Sequence, residues 1–404
     1  MAKKLSTKKR IMKMNRLIVL AAALTITAST FAQVIDNINY YLNDATKEAE
    51  IKHFSFNSFE YNSDEDKIVT NDHDDSHFHY KGEVKIPESV TYKGVTYKVT
   101  SIGNAAFLLE SEMTSVTIPN TIENIGNEAF LGCDKLTSIY LPASVKTIGV
   151  SILSDCTSLE SIVVDKNNKN FYSNGSNAII DAKNNWLIIG CKNSVIPNTV
   201  TKIMEHAFWD CVGLTSIVIP NNVKNIDESA FSNCINLKSI TLPDNLETIE
   251  NGTFKNCKSL ESISLPSTLK LIYADAFNNC NSLKEITIPA SVNKINTHAF
   301  EGCTSLTTVT NLSTKPQSIY SHTFSVMENL IVPKESEEAY RNAPIWKHFT
   351  NIIGKPTPTT DIATLRPSEG NKPTVSYNLS GQRFSSPQKG VNIVNGKKII
   401  RKKN

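Results

Sequence analysis

The cysteines of this chain recur at a fixed interval. Seven of the eight follow a 23-residue period, and a bulky apolar residue, usually phenylalanine, stands three positions before each of them. The seven are Cys133, Cys156, Cys211, Cys234, Cys257, Cys280 and Cys303. A strict period of this length predicts a solenoid, in which each repeat is one turn of a coil and cannot bury its apolar face alone. Such an architecture favours an extended binding surface over a catalytic pocket.

Each repeat also contains a short strand that ends in proline. Residues 136–142 read Leu-x-x-Ile-x-Leu-Pro, and the alternation of apolar and polar residues is typical of a strand with one buried face. Proline ends the strand because it has no N–H to donate to a neighbour. One strand per turn, always in the same direction, predicts a parallel sheet along one face, with strands ~4.8 Å apart.

The cysteines allow two interpretations, because the chain is long and the residue recurs at a packing position. Buried free thiols, packing as small apolar residues, are favoured over disulfides stacked between neighbouring turns. The spacing contains no Cys-x-x-Cys pair and no Cys/His pattern typical of structural zinc. Cys191 departs from the period.

The period is interrupted between Leu153 and Phe208, which are 55 residues apart, or two periods plus nine residues. Residues 165–185 are rich in turn-forming residues, and residues 186–191 resemble a strand. We interpret residues 165–197 as one irregular coil with a protruding hairpin. Insertions of this kind in repeat arrays form loops on one face, and such loops often carry binding.

The full repeat, Leu-x-Ser-Ile-x-Leu-Pro-x-x-Val-x-x-Ile-x-x-x-Ala-Phe-x-x-Cys, resembles the BspA-like bacterial leucine-rich repeats. The likeness covers residues 83–354 and includes the interrupted coil and a closing cap at residues 313–354. It implies a right-handed coil of 23-residue turns with one parallel β-sheet face and β-rich caps. Residues 33–82 are expected to form the N-terminal cap, because the exposed end of a sheet has to be covered.

The N-terminus has the composition of a secretory signal peptide. Residues 1–16 carry seven Lys and Arg and no acid, a short apolar run follows, and small residues precede Gln33. The run is too short for a membrane anchor. Removing residues 1–32 changes the formal net charge from +3 to −4, and the repeats carry no basic stripe, which argues against a nucleic-acid partner. The sequence thus predicts a secreted or cell-surface protein without a transmembrane segment.

The composition changes again at the C-terminus. Residues 355–374 have the Pro- and Thr-rich character of a linker, and residues 375–404 contain two alternating runs around Asn395-Gly396 that predict a hairpin. This segment resembles the C-terminal tails of exported Bacteroides-type proteins and is similar to type IX sorting tails, although it is shorter. The resemblance implies attachment to the outer membrane. The alternative is a solvated basic tail.

No motif in the sequence indicates an active site. No nucleophile elbow, metalloprotease motif, phosphate loop or dinucleotide fingerprint is present, so we expect neither an enzyme nor a cofactor. Residues 72–79 contain three His and three Asp, a composition that can bind a divalent metal. We favour a solvated acidic loop over a metal site, because a preformed site usually needs ligands from rigid, separated elements.

The outward positions of the predicted sheet are the candidate binding residues. They form rows of hydroxyl side chains with an apolar patch, a shallow surface that suits proteins or glycans better than small molecules. Small hydroxyl residues also suit strands for structural reasons alone. Trp209 is added as an aromatic anchor, although it would equally well pack on the irregular coil. The candidates are Ser138, Ser161, Ser216, Ser239, Tyr140, Val163, Val218 and Trp209.

Three functions remain open from the sequence. The family resemblance implies adhesion, to host matrix or plasma proteins or to other cells, through a non-enzymatic binding surface. The first alternative is a surface protein that captures glycans, and the second is an envelope scaffold without a ligand of its own. The fold alone does not choose among them.

Overall fold

The computed structural model describes part of the chain: residues 30–53, 59–62, 67–70, 80–356, 376–377, 383–384, 390–394 and 397–401. The predicted signal peptide up to residue 29, the His/Asp cluster at residues 72–79 and the linker between residues 357 and 374 lie outside these ranges. The chain divides into two compact units, Met1–Pro356 and Thr357–Asn404.

The first unit is built almost entirely from short strands. The first five are β1 (Thr30–Ile35), β2 (Ile38–Asn43), β3 (Glu48–Ile51), β4 (Phe59–Asn62) and β5 (Lys67–Thr70). They are followed by β6 (Gly82–Lys85), β7 (Ser89–Tyr92), β8 (Val95–Ile102), β9 (Met113–Thr117), β10 (Asn124–Ile125), β11 (Ser138–Leu141), β12 (Thr147–Ile148) and β13 (Ser161–Val164). The irregular coil contains β14 (Phe171–Tyr172), β15 (Ala178–Asp181) and β16 (Trp186–Gly190).

The remaining turns continue to the C-terminal cap. Their strands are β17 (Lys202–Ile203), β18 (Ser216–Val218), β19 (Asn225–Ile226), β20 (Ser239–Thr241), β21 (Thr248–Ile249), β22 (Leu271–Ile272), β23 (Glu285–Ile288), β24 (Lys294–Ile295), β25 (Thr308–Asn311), β26 (Asn329–Pro333) and β27 (Asn351–Lys355). Between β26 and β27 lie the six-residue helix α1 (Glu337–Asn342) and 3-10 turns at Lys334–Ser336 and Trp346–His348.

Every regular turn of the coil has three sides. The long-strand side holds the Ser-Ile-x-Leu segments, such as β11 and β13, which pair in parallel from Ser138 beside Ser161 to Leu141 beside Val164. The short-strand side holds two-residue parallel strands, such as β17 and β19. The Ala-Phe side has no named strand in its regular turns, yet its backbone forms a ladder, in which the N–H of Phe231 donates to the C=O of Thr253 at 2.9 Å.

The chain is therefore a β-solenoid of about 11 turns with a period of ~23 residues, which confirms the fold class predicted from the sequence. The long-strand side is less continuous than expected. Its hydrogen-bonded strands fall into separate groups, β6-β9, β11-β13, β18-β20 and β23-β25-β26-β27. The short-strand side is a second set of parallel strands, whereas the repeat pattern predicted only one strand per turn.

The phenylalanines of successive turns stack on one another in the core. The rings of Phe254 and Phe277 have centroids 5.4 Å apart, those of Phe277 and Phe300 are 5.1 Å apart, and all three are fully buried. The stack continues to Phe324 in the last turn. Burying one such ring contributes about 1.5–3 kcal/mol, so the stack is a major source of stability.

The periodic cysteines bond to the turn before. The Cys257 thiol donates to the carbonyl oxygen of Phe231 at 3.2 Å, and burial raises the pKa of this thiol. Five other thiols make the same bond at 3.1–3.2 Å: Cys133, Cys156, Cys234, Cys280 and Cys303. All eight cysteines are free thiols, which agrees with the packing interpretation. A small thiol suits this place because it fills the core and still supplies a weak donor.

A second ladder runs beside the thiols, two residues after each phenylalanine. This position has a positive φ, 61° at Asn233 and 60° at Asn256, which asparagine tolerates better than most residues. The amide of Asn256 donates to Asn233 at 2.7 Å, and that of Asn279 donates to Asn256 at 3.0 Å. The ladder ends at Gly302, where a Cβ would lie 2.0 Å from the side-chain oxygen of Asn279.

The ladder position holds an aspartate, Asp155, in an earlier turn, with φ 55°. Burial, with a contribution from Asp134, raises the pKa of Asp155 to about 6. In the described part of the chain, this carboxylate has no hydrogen-bond or ion-pair partner. The folded state therefore favours the protonated carboxyl group.

The irregular coil is buried rather than protruding, so the prediction of a protruding hairpin is wrong. Strand β15 pairs antiparallel with β16 and lies inside the solenoid. Ile179 packs with the core of the N-terminal turns, whereas its neighbours Ala178 and Ile180 pack with the core of the C-terminal turns. The reason is the composition of β15, which is apolar on both faces and has to be covered on both. The hairpin thus separates two cores.

Gly190 restores the register after the hairpin. Its N–H donates to the C=O of Ala207 at 2.8 Å, as the N–H of Phe208 donates to the C=O of Ala230 one turn later. Gly190 therefore occupies a phenylalanine position. A Cβ there would lie 2.1 Å from the ring of Phe208, which fills the space instead. Only glycine fits this position.

Caps cover both ends of the coil. At the N-terminal end, β3 pairs in parallel with β8 and antiparallel with β2, so strands occupy part of the predicted cap at residues 33–82, whose limits stay a prediction. At the other end, the Trp346 ring packs on Phe324, and its indole N–H donates to the carbonyl oxygen of Gln317 at 2.7 Å. The caps therefore close the apolar core at both ends of the coil.

The described part of the second unit contains four short strands in the order β29-β28-β30-β31: β28 (Ser376–Tyr377), β29 (Arg383–Phe384), β30 (Gly390–Val394) and β31 (Lys397–Arg401). Strands β30 and β31 pair antiparallel, with Val394 beside Lys397. This is the hairpin pairing that the two alternating runs predicted. A role in sorting stays a prediction.

Among the described residues, no helix has the length and apolar character needed to cross a membrane. The same residues contain no group of three or more His, Cys, Asp or Glu that is placed to bind a metal ion. The His/Asp segment at residues 72–79 is not among them, so its metal affinity stays open.

Phe254→Ala is expected to lower the free energy of unfolding by about 3–5 kcal/mol, because it removes a fully buried ring between two stacked neighbours. Denaturant unfolding of the purified protein measures the loss. Thr241→Ala, on an exposed position of the long-strand side, is the matched control and should change stability by less than about 0.5 kcal/mol. Equal stability of the two variants would contradict the stacked core.

Asp155→Asn is expected to stabilise the protein at pH 7, because Asn keeps the geometry of the ladder and removes a buried charge. The folded-state pKa is raised, so the unfavourable contribution is absent below about pH 4 and grows as the pH rises towards about 6. The gain at pH 7 should be about 1–2 kcal/mol.

Thermal or denaturant unfolding at pH 4 and pH 7 measures this difference. Asp134→Asn is the control and should give a smaller gain, since Asp134 is the lesser cause of the raised pKa. A gain that is the same at both pH values would show that the charge of Asp155 is not responsible.

Candidate functional site

The outward positions of the long-strand side lie where the sequence predicted them. Tyr140 on β11 and Val163 on β13 are cross-strand neighbours, with 47% and 43% of their surfaces exposed. Val218 on β18 is 65% exposed. In each strand the residue that precedes the exposed side chain, such as Ile139 before Tyr140 and Ile217 before Val218, is buried in one of the two cores. Alternation along each strand therefore produces an apolar outer patch.

Tyr140 is held in place at this patch. Its hydroxyl donates to Asp165 at 2.5 Å, and this bond lowers the pKa of Asp165 and raises the pKa of Tyr140. Asp165 directly follows strand β13 and begins the irregular coil. The bond restricts an exposed aromatic ring whose face stays open, and such pre-ordering reduces the entropy lost on binding.

The serines form two separate pairs on this side. Ser138 lies beside Ser161, and Ser216 lies beside Ser239. Ser161 is half-buried and the other three are exposed. They supply hydroxyl donors and acceptors around the apolar patch, with the irregular coil between the two pairs.

Val195 is a further exposed apolar residue, which was not among the residues predicted from the sequence. Val195 is 68% exposed, and it directly precedes the buried Ile196, which Pro197 follows, in the irregular coil. It thus occupies the repeat position of Tyr140 and Val218, which precede Leu141 and Ile219. The signal was available, because Ile196-Pro197 already marks the return to the repeat.

Trp209 does not belong to this surface, so the structure does not bring it together with Tyr140. It lies on the Ala-Phe side, directly after Phe208, and its ring is 5.3 Å from that of His206. It packs against a small apolar cluster formed by Leu108, Leu131 and Ala105 from earlier turns. The sequence left open whether Trp209 is an anchor for a partner or packs on the irregular hairpin, and the apolar contacts observed are with these earlier turns.

Trp209 also lines a cleft of about 550 Å³ on the Ala-Phe side. The walls come from turns on both sides of the irregular coil, with Leu131 and Val150 before it and His206 and Ser229 after it. The outward residues of the long-strand side do not line this cleft. The molecule therefore carries two distinct candidate surfaces, one flat and one concave.

The comparison with known proteins agrees with this repeat. The family described as the BspA type leucine rich repeat region matches in six copies, over residues 77–184, 188–307 and 247–339. These ranges include all of the irregular coil except residues 185–187 and cover more than half of the chain. A search of curated protein sequences found no significant match.

Solved structures with the same type of coil are also similar. The pneumococcal vaccine antigen PcpA is 18% identical with a TM-score of 0.52, over 82% of this chain and 100% of that one, which shows a shared fold. A leucine-rich repeat protein from Bacteroides ovatus is 28% identical with a TM-score of 0.46, over 75% and 71%. A leucine rich cell surface protein from Faecalibacterium prausnitzii is 22% identical with a TM-score of 0.40, over 70% and 96%.

The repeat motif, its ladders of phenylalanine and cysteine and the extent of the family match lead to one conclusion: this chain belongs to the BspA-type leucine-rich repeat family.

Proposed function

We propose that this protein is a non-enzymatic, exported surface protein that binds other macromolecules, and that it acts as an adhesin for host matrix or plasma proteins or for other cells. The observation that carries the proposal is the exposed apolar patch around Tyr140 on the long-strand side. Membership in the BspA-type family supports it. The binding partner is a protein surface, for which the flat outer face of a solenoid provides an extended contact.

The patch has the composition of a small protein-binding surface. An aromatic ring and three exposed valines, Val163, Val195 and Val218, stand among hydroxyl side chains. Exposed apolar groups at one repeat position offer more surface than scattered single residues do. The energy of protein interfaces concentrates on aromatic anchors surrounded by weaker contacts, and Tyr140 has this role here.

Export is part of the same proposal. The basic residues and apolar run within residues 1–32 have the order of a signal peptide, and the second unit would retain the protein at the outer membrane if it acts as a sorting tail. Without export the proposed adhesin would not reach its partners.

The mature protein is expected to begin at Gln33, because the small residues before it suit cleavage. Mass spectrometry of the N-terminal peptide, from the secreted or surface-bound protein of the native host, measures the start. An intact residue 1 on the exported protein, or retention of the protein inside the cell, would overturn the proposal of export by a cleaved signal peptide.

Tyr140→Ala is expected to weaken binding to the protein partner by about tenfold or more, since it removes the aromatic anchor. The measurement is surface binding of the purified full chain to a panel of matrix and plasma proteins, followed by affinity determination for each positive. Saturable binding to at least one of them is the expected outcome.

Two variants serve as controls for Tyr140→Ala. Thr241→Ala changes an exposed residue at the same repeat position on β20, and Trp209→Ala changes the Ala-Phe side; both should bind as well as the unmodified chain. A folded protein that binds nothing in the panel would favour the scaffold alternative. Binding that is insensitive to Tyr140→Ala would show that the binding surface lies elsewhere on the molecule.

A further inference from the structure

We propose that the cleft on the Ala-Phe side is a second binding site, and that its ligand is a neutral oligosaccharide chain. The site is separate from the adhesive face proposed above and does not depend on it. The irregular coil explains where the cleft lies, and apolar residues of earlier turns form part of its lining. The polar groups around Trp209 indicate the class of ligand.

The cleft exists because the irregular coil is short on this side. Leu187 pairs with Ile203 of the next turn, and Gly190 then occupies the position equivalent to Phe208. Gly190 lies three positions after Leu187, whereas in a regular turn the distance is five positions, as from Ile203 to Phe208. The outer loop of a regular turn is therefore missing, and a gap remains between the turns before and after it.

Apolar side chains form one part of the cleft. Leu108, Leu131 and Val150 come from the turns before the gap, and the indole of Trp209 reaches them from the turn after it. Val150 is 63% exposed and thus leaves much apolar surface open to a ligand. An indole beside aliphatic groups provides a rigid surface that loses little entropy on binding.

Polar groups without protein partners surround this apolar part. Among the residues that the structure describes, four polar groups line the cleft without a hydrogen bond to the protein. They are the indole N–H of Trp209, the carboxylate of Glu128 and the hydroxyl groups of Ser151 and Ser229. They offer both donors and acceptors. By contrast, the indole N–H of Trp346 in the C-terminal cap is satisfied within the fold.

A sugar chain matches both parts of the lining. Each pyranose ring has an apolar C–H face that stacks on an indole and a rim of hydroxyl groups that both donate and accept hydrogen bonds. A purely apolar ligand would cover the carboxylate and the hydroxyl groups without satisfying them, which is unfavourable for each buried group. The lining contains two carboxylates, Glu128 and Asp275, and one lysine, Lys255, so the excess of negative charge disfavours an anionic chain, because like charges repel.

An extended peptide fits less well. Peptides that bind to β-structure usually pair with free backbone groups of a sheet edge. On the turn that follows the gap, the N–H groups are already used by the ladder between turns, as in the N–H of Phe208, which donates to the C=O of Ala230, and that of Asp210, which donates to the C=O of Ser232. On that turn, which carries Trp209, the side chains are therefore the groups left to recognise a ligand, which favours a sugar with its many hydroxyl groups.

The test is binding of the purified full chain to an array of neutral and acidic oligosaccharides of increasing length, with affinities then measured by calorimetry. We expect binding to at least one neutral oligosaccharide and an increase in affinity with chain length. Trp209→Ala should weaken it by about tenfold or more, as loss of an aromatic anchor does. Trp209→Phe should retain most of the binding, because a ring still covers the apolar part.

Further variants separate a blocked site from a damaged fold. Val150→Trp places a large side chain in the cleft from an exposed position, so it should abolish binding without lowering the melting temperature. Tyr140→Ala, on the other side of the coil, should leave oligosaccharide binding unchanged. An array without any neutral oligosaccharide bound, binding that survives both Trp209→Ala and Val150→Trp, or binding that is lost with Tyr140→Ala would overturn the proposal.

Discussion

The structure depends on contacts between equivalent residues of successive turns. A buried ring stacks on the ring of the next turn, and the thiol three residues later donates to the backbone of the turn before, as Cys257 does to Phe231. Neither contact exists within a single repeat, so one turn alone has no core and stability accrues only as turns are added. The exact period follows, since a turn of another length would place these residues out of register.

The irregular coil shows how such an array tolerates an interruption. Strand β15 presents Ile179 to one core and Ile180 to the other, so the hairpin separates the solenoid into two cores and still leaves no apolar face uncovered. Gly190 then returns the backbone to the ladder. The same interruption produces both candidate surfaces: it supplies Asp165 and Val195 to the flat face, and it opens the cleft beside Trp209.

The candidate site was predictable in part. Tyr140, Val163 and Val218 are exposed as expected, because alternation in a short strand determines which side chains face outwards. Trp209 could not be placed in this way. It follows a buried phenylalanine in a non-strand segment, and its environment is built from residues some 78–101 positions earlier in the chain, Leu131 and Leu108. The residues that Trp209 contacts were therefore not available from periodicity.

The sequence by itself determined the repeat architecture, because a strict 23-residue pattern of leucine, isoleucine, phenylalanine and cysteine can be buried only by stacking one turn on the next. It also determined which strand residues face outwards. The tertiary structure decided what happens where the pattern fails. The apolar residues of β15 predict a strand whether the hairpin protrudes or is buried. Only the packing of the neighbouring turns shows that it is buried. The same packing leaves a gap on the Ala-Phe side. The sequence does not show this gap, because a shortened loop opens a cleft only where the longer loops of the neighbouring turns stand on either side of it.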